Sequence, residues 1–215
     1  MSELTSEQKQ MYKIIELTRR FNIKIPKNIY DVGLGRIEDI YEMLEIFNPE
    51  SIRAFEPNLL NPLAGKIPNN CSIYRLAVCD KDGEVEFYAG EKTTLLQGSI
   101  YAPTPDATCI NKDPFSVITI PCTRLDTFIE TRNEPVPDLL WIDAQGAEYD
   151  IISGLGKYLT NVSIIHAELF LKEEYKGIKL LDEVDLLLKD NFELVDGNPY
   201  GGVFDNYIYV NRRFL

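Results

Sequence analysis

The chain has 215 residues, and 45% of them are hydrophobic, which suits one domain with an ordinary core and excludes a disordered tail. With 22 Lys and Arg against 34 Asp and Glu, the formal net charge is −12, which disfavours nucleic-acid and anionic-membrane partners. No apolar run approaches the roughly 18 residues of a spanning helix, and the polar N-terminus is unlike a secretory signal. We therefore expect a soluble, cytoplasmic protein.

The first half of the chain predicts an amphipathic N-terminal helix within residues 1–25, followed by alternating strands and helices. Thr5 and Gln8 have the spacing of a capping box, and apolar residues then recur every three or four positions as far as Phe21. The elements that follow are a strand over 28–32, a helix over 37–47, a strand over 51–56 and a strand over 71–78.

The second half continues this alternation after a segment without periodicity. Residues 85–88 alternate like a hairpin strand, whereas 89–115 contain several prolines and small polar residues, so we interpret 89–115 as a candidate lid loop. Strands are predicted at 116–121, 139–143, 162–169, 192–195 and 207–210, and helical segments at 124–129, 151–155 and 178–188. This order predicts a single α/β domain over 1–215, with a doubly wound, mostly parallel sheet.

Four cysteines are present, at positions 71, 79, 109 and 122. Their spacing matches no redox pair and no zinc-binding motif. We expect them to be reduced thiols, as is usual in the cytosol.

The first strand ends in a glycine turn that contains Asp31, Gly33 and Gly35. Ligands of open parallel sheets bind beyond the carboxyl ends of the strands, where glycine lets the backbone approach a cofactor. A dinucleotide fingerprint would need glycine at the position of Glu38, which disfavours a nicotinamide oxidoreductase. An acidic residue two positions before the first glycine is typical of S-adenosylmethionine sites, because a carboxylate can hold the cationic amino group. The alternative is a tight turn that needs glycine only for its backbone conformation.

Glu56 ends the second predicted strand and follows Gly35 by about 20 positions. This is the offset expected of a carboxylate that accepts hydrogen bonds from the two ribose hydroxyls. The alternative is a surface glutamate before a proline turn.

Between residues 28 and 210 the sequence resembles the FkbM-type methyltransferases. The resemblance is carried by the runs DVG at 31–33, AFEPN at 54–58, LAVCD at 76–80 with Gly83, and IDAQGAEY at 142–149, the last being the most specific. It implies a class I methyltransferase fold, Rossmann-like, with an antiparallel closing strand. It also implies an S-adenosylmethionine-dependent enzyme that methylates a hydroxyl of a sugar, glycan or small natural product.

The resemblance also implies roles for individual residues. Asp31, Gly33 and Gly35 would surround the methionine end of the cofactor, Glu56 would hold the ribose, and Ala77 and Val78 would flank the adenine. Asp143 would bind the cofactor amine, orient the acceptor or act as a base. Family members usually have asparagine at the position of Gly35 and glycine at that of Ile37. A catalytically inactive accessory or binding protein is therefore the alternative function.

Two further base candidates lie near the carboxyl end of the predicted strand 162–169. His166 and Glu168 alternate onto the same face, and an imidazole titrating near pH 7 suits proton transfer from a hydroxyl. The alternative for His166 is a hydrogen-bonded core side chain. A divalent metal held by Asp143 and Glu168 with Asp205 or Asn206, as in catechol-type methyltransferases, is possible but not favoured, because no contiguous ligand motif is present.

Overall fold

The computed structural model describes residues 4–111 and 113–215. The helices are α1 Ser6–Arg20, α2 Ile37–Phe47, α3 Leu125–Arg132, α4 Glu148–Gly154 and α5 Leu181–Leu188. The strands are β1 Asn28–Val32, β2 Ser51–Phe55, β3 Cys71–Tyr74, β4 Ala77–Val78, β5 Gly83–Gly90, β6 Phe115–Thr123, β7 Leu139–Ile142, β8 Ile164–Phe170, β9 Phe192–Asp196 and β10 Phe204–Asn211. Within the described ranges, none of the helices is both long and apolar enough to cross a bilayer.

Seven strands form the central sheet in the order β3-β2-β1-β7-β8-β10-β9. In this sheet β10 alone runs antiparallel to the other six strands, so the predicted mostly parallel sheet with an antiparallel closing strand is confirmed. The chain moves outward from β1 to β3 and later returns to place β7 on the other side of β1. The strand order therefore reverses between β1 and β7, which is where open α/β sheets bind their ligands.

The central strands carry apolar side chains on both faces of the sheet, so helices cover both faces. On the face that we call the α1 face, Met11 and Ile14 of α1 and Phe47 of α2 pack in one core with Leu139 and Ile164. The opposite face packs against α3, α4 and α5. The predicted capping box of α1 is present, since the Thr5 side chain accepts from the Gln8 amide at 3.1 Å and the Gln8 side chain accepts from the Thr5 amide.

A second, three-stranded sheet has the order β4-β6-β5. The prediction of one continuous strand over 71–78 was wrong, because the chain leaves the central sheet after Tyr74 and joins the small sheet at Ala77. Arg75, at the break, donates to the carbonyls of Asn58 and Asn61 at 3.0 and 2.9 Å. The helix predicted from residue 178 begins only at Leu181.

Candidate active site

A cavity of about 280 Å³ opens at the reversal point of the central sheet. Its wall is built by the carboxyl ends of β1, β2 and β7, by β4, by part of the 89–115 segment and by the first turns of α1. All seven residues that the sequence suggested for the cofactor contribute to this wall: Asp31, Gly33, Gly35, Glu56, Ala77, Val78 and Asp143. The volume is near the lower end of the range for small-molecule sites.

The register of the central sheet explains why polar side chains gather here. Asp31 of β1 is paired with Trp141 of β7, which is paired with His166 of β8. Because side chains alternate along a strand, Asp143 and Glu168, each two positions further on, lie on the same α1 face. Polar groups thus lie near the carboxyl ends of strands whose earlier residues form the core.

Asp31 lines the cavity and carries a buried acceptor atom without a partner in the described part of the protein. Its side chain is only 3% exposed, and among the described residues its Oδ2 atom has no hydrogen-bond partner. Burial, followed by repulsion from Asp39, Asp143 and Glu56, raises the pKa of the Asp31 carboxyl. A buried carboxylate oxygen without a partner is costly unless a ligand supplies one. The arrangement fits the cationic amino group of S-adenosylmethionine.

Glu56 is buried and held in a fixed orientation beside Asp31. It accepts from the Asn58 amide at 2.7 Å and from the side-chain amide of Asn61 at 3.3 Å. Burial raises its pKa to about 7, although these hydrogen bonds and nearby Arg75 favour the charged form. Glu56 therefore offers the cavity a rigid acceptor rather than a surface charge, which fits a ribose diol.

The two glycines of the turn have different roles. Gly33 has φ +97°, and a Cβ atom at this position would lie 1.8 Å from the Asp143 carbonyl oxygen. Gly35 has no such restriction, since the nearest atom to its Cβ would be a Leu96 methyl carbon at 3.5 Å. Gly33 is required for the close approach of β1 and β7, whereas the structure leaves room for a Cβ atom at Gly35.

The far wall of the cavity is apolar. Ala77 and Val78 of β4 lie there with Leu76, Phe87 and Ile100, as expected for a surface against an adenine ring. Leu95 and Leu96, from the predicted lid segment, also line the cavity, and Leu96 lies beside Gly35.

Asp143 faces the cavity and is one of two neighbouring acids. Its Oδ1 accepts from the Gln145 side-chain amide at 2.7 Å. Asp143 is exposed to the open cavity, but the protein atoms around its carboxyl reduce its hydration and raise its pKa. Burial raises the pKa of Glu168, and the Asp143 charge raises it further. Two neighbouring carboxyls repel each other when both are ionised, so one of them keeps its proton to a higher pH. Unlike Asp143, Glu168 is not part of the cavity wall formed by the described residues.

His166 lies behind the cavity wall. It is 1% exposed and stacks on Trp141, with ring centroids 3.6 Å apart and an interplanar angle of 19°. Burial lowers its pKa to about 3, and neither ring nitrogen has a partner in the described part of the chain. His166 and Glu168 lie on the same face, as the alternation along β8 predicts, but it is Trp141 and not His166 that lines the cavity.

Glu148, two positions after Gly146 in the IDAQGAEY run, has a structural contact. Its Oε1 accepts from the amides of Ala144 and Gly146 at 2.9 and 3.2 Å, which closes the turn before α4.

The acidic residues of the site raise the question of a bound metal. No group of three or more His, Cys, Asp and Glu side chains that could hold a metal ion occurs in residues 4–111 and 113–215.

Several residues of the wall were missed by the sequence analysis: Glu7, Met11, Arg36, Asp39 and Trp141. Arg36 and Asp39 follow the glycine turn within four residues, so the sequence could have predicted that they lie near the cavity. Glu7 and Met11 lie on α1, whose position above the sheet no local pattern reveals.

Comparisons with known proteins indicate a methyltransferase family. The family model described as the methyltransferase FkbM domain matches residues 32–193. The 2-O-methyltransferase NoeI of Sinorhizobium fredii is 28% identical over 186 residues, which cover 80% of this chain and 75% of the relative. The crystal structure of methyltransferase FkbM from Methylobacillus flagellatus KT covers 86% of this chain with a TM-score of 0.52 and 13% identity. The chain spans 43% of the length of that structure.

Proposed function

Since the chain belongs to the methyltransferase FkbM family, we propose that it transfers a methyl group from S-adenosylmethionine to a hydroxyl of a sugar, glycan or small natural product. One observation carries the proposal. The buried Oδ2 of Asp31 has no partner among the described residues, and it lies with Glu56 in the cavity wall where the strand order reverses. A cationic amino group and a ribose diol are the chemical complements of these two side chains.

S-adenosylmethionine supplies an activated methyl group on a sulfonium, so the protein mainly has to bind and orient its substrates. Asp31 binds the amino group, Glu56 binds the ribose, and the apolar wall around Ala77 and Val78 receives the adenine. Asp143 faces the acceptor and takes the hydroxyl proton, while the Gln145 amide fixes its carboxylate. The Asp143 charge raises the pKa of Glu168, so Glu168 keeps its proton and Asp143 is the ionised member of the pair.

The relative described as a 2-O-methyltransferase supports oxygen as the atom that is methylated. The four cysteines are free thiols, which supports a reducing, cytoplasmic location.

The proposal is tested with methyl-labelled S-adenosylmethionine and a panel of free, nucleotide-linked and glycoside-linked hexoses and deoxyhexoses. We expect the purified protein to transfer label to a hydroxyl of at least one acceptor, with the position determined by NMR. The Asp31→Asn variant should lose this transfer. A protein that binds neither S-adenosylmethionine nor S-adenosylhomocysteine would contradict the proposal and favour an accessory role.

A further inference from the structure

The cavity wall contains five acidic side chains and one cationic side chain among the described residues. The acids are Glu7, Asp31, Asp39, Glu56 and Asp143, and the cation is Arg36. Such a surface attracts the amino group of the proposed donor. It would repel the carboxylate on the same carbon atom unless a cation pairs with that carboxylate.

Arg36 stands where the methionine end of the donor is expected. It follows Gly35 directly and is the N-cap residue of α2. Its Nη2 lies 3.0 Å from Oδ1 of Asp39 and 3.5 Å from Oε1 of Glu7. Asp31 and Asp39 line the same cavity, so the guanidinium, which contacts Asp39, lies in the same wall as the proposed amino-group acceptor.

The guanidinium has donors to spare. Only Nη2 is hydrogen-bonded to protein, and in the described part of the chain Nε and Nη1 have no protein acceptor. The side chain is 46% exposed, which leaves it free to turn toward a ligand. The planar guanidinium is well suited to a carboxylate.

The start of α2 adds to this preference. No side chain caps the helix N-terminus. The partial positive charge at this end favours an anion, so Arg36 and the helix terminus act in the same direction.

We infer that Arg36 pairs with the carboxylate of the donor's methionine end and gives up part of its contact with Glu7 and Asp39 to do so. The inference rests on the proposed function, because it presumes that S-adenosylmethionine occupies this cavity. It assigns the two charges of one amino acid group to two side chains: the amino group to Asp31 and the carboxylate to Arg36.

Calorimetry with three ligands tests this assignment. S-adenosylhomocysteine carries both charged groups, its decarboxylated analogue carries only the amine, and 5′-methylthioadenosine carries neither. Wild-type protein should bind S-adenosylhomocysteine at least about tenfold more tightly than the decarboxylated analogue. Arg36→Gln should weaken the binding of S-adenosylhomocysteine by at least about tenfold. It should leave the affinity for the decarboxylated analogue unchanged or increase it.

Lys92→Gln is the matched control, because Lys92 lines the adjacent groove and not the cofactor cavity. It should leave the affinity for all three ligands unchanged. Equal affinity of the wild type for S-adenosylhomocysteine and its decarboxylated analogue would overturn the inference, even if Arg36→Gln does not fold. An equal loss for both ligands in Arg36→Gln would overturn it as well. If the wild type binds none of the three ligands, the proposed function itself is wrong.

Discussion

Gly33 and Asp143 approach so closely that a Cβ atom on Gly33 would lie 1.8 Å from the Asp143 carbonyl oxygen and 2.6 Å from the Asp143 carbonyl carbon. The contact joins the ends of β1 and β7 at the point where the strand order reverses. It brings Asp31 and Asp143 into one cavity, so the glycine acts on the site through the backbone.

Gly33→Ala should therefore destabilise the fold. The backbone of Asp143 has to move, and φ +97° is strained for alanine, so we expect a loss of at least about 3 kcal/mol in the free energy of unfolding. Gly35→Ala is the control, since only a Leu96 side chain lies near, at 3.5 Å. Guanidinium unfolding measures both variants, and equal stability of the two would contradict this account.

Substitutions at Asp31 and Glu56 should separate the two ends of the donor. Asp31→Asn should weaken S-adenosylhomocysteine by at least about 30-fold, because a buried charge-assisted contact is lost. It should leave 5′-methylthioadenosine within about threefold, since that ligand has no amino group. Glu56→Gln should weaken both ligands by about tenfold, because both carry the ribose.

Calorimetry of both variants with both ligands measures these affinities. The free energy of unfolding should not fall in Asp31→Asn, because the wild-type carboxylate is buried with an unpartnered Oδ2. A loss of 5′-methylthioadenosine binding in Asp31→Asn would show that Asp31 does not act on the amino group.

The stability of the ligand-free protein should fall as the pH rises from about 5 to 8. Burial raises the pKa of both Glu56 and Glu148 from 4.5 to about 7. Between these values the folded state holds protons that the unfolded state has released, so the stabilisation present below pH 4.5 is lost as the pH passes through 7. Each group contributes up to about 1.4 kcal/mol per pH unit. Together they exceed the opposite slope from His166, whose lowered pKa makes stability rise with pH up to about 6.5.

Guanidinium unfolding at several pH values measures this slope. Glu148→Gln should flatten it, because the amide oxygen can still accept from Ala144 and Gly146 but does not titrate in this range. A free energy of unfolding that increases from pH 5 to 8 would refute the prediction.

His166 and Asp143 should differ sharply in their effect on turnover. Asp143→Asn should lower kcat by about 100-fold or more, as expected for loss of a general base. His166→Leu should keep kcat within about threefold. It should leave the free energy of unfolding unchanged or raise it by up to about 1 kcal/mol, because two buried unpartnered nitrogens are removed. A large loss of kcat in His166→Leu, without a loss of stability, would assign the base to His166 instead.

Local patterns predicted the parts of the fold that local interactions determine. The capping box at Thr5 and Gln8 and the alternation of strands and helices sufficed for α1 and for the parallel sheet. The break after Tyr74 was missed, because residues 71–78 are mostly apolar and the chain leaves the sheet through contacts of Arg75 with distant carbonyls.

The site was predictable where a strand end determines it. Asp31, Glu56 and Asp143 follow from the positions of strand ends, and all three line the cavity. The stack of His166 on Trp141 depends on the pairing of β7 with β8, which the sequence does not specify. The contribution of Glu7 depends in the same way on how α1 lies over the sheet.

The most direct test is a crystal structure of the protein with S-adenosylhomocysteine. We predict that the ligand amino group lies within hydrogen-bond distance of Asp31 Oδ2 and that the ribose hydroxyls contact Glu56. A ligand bound elsewhere, with Asp31 and Glu56 facing only water, would contradict the account.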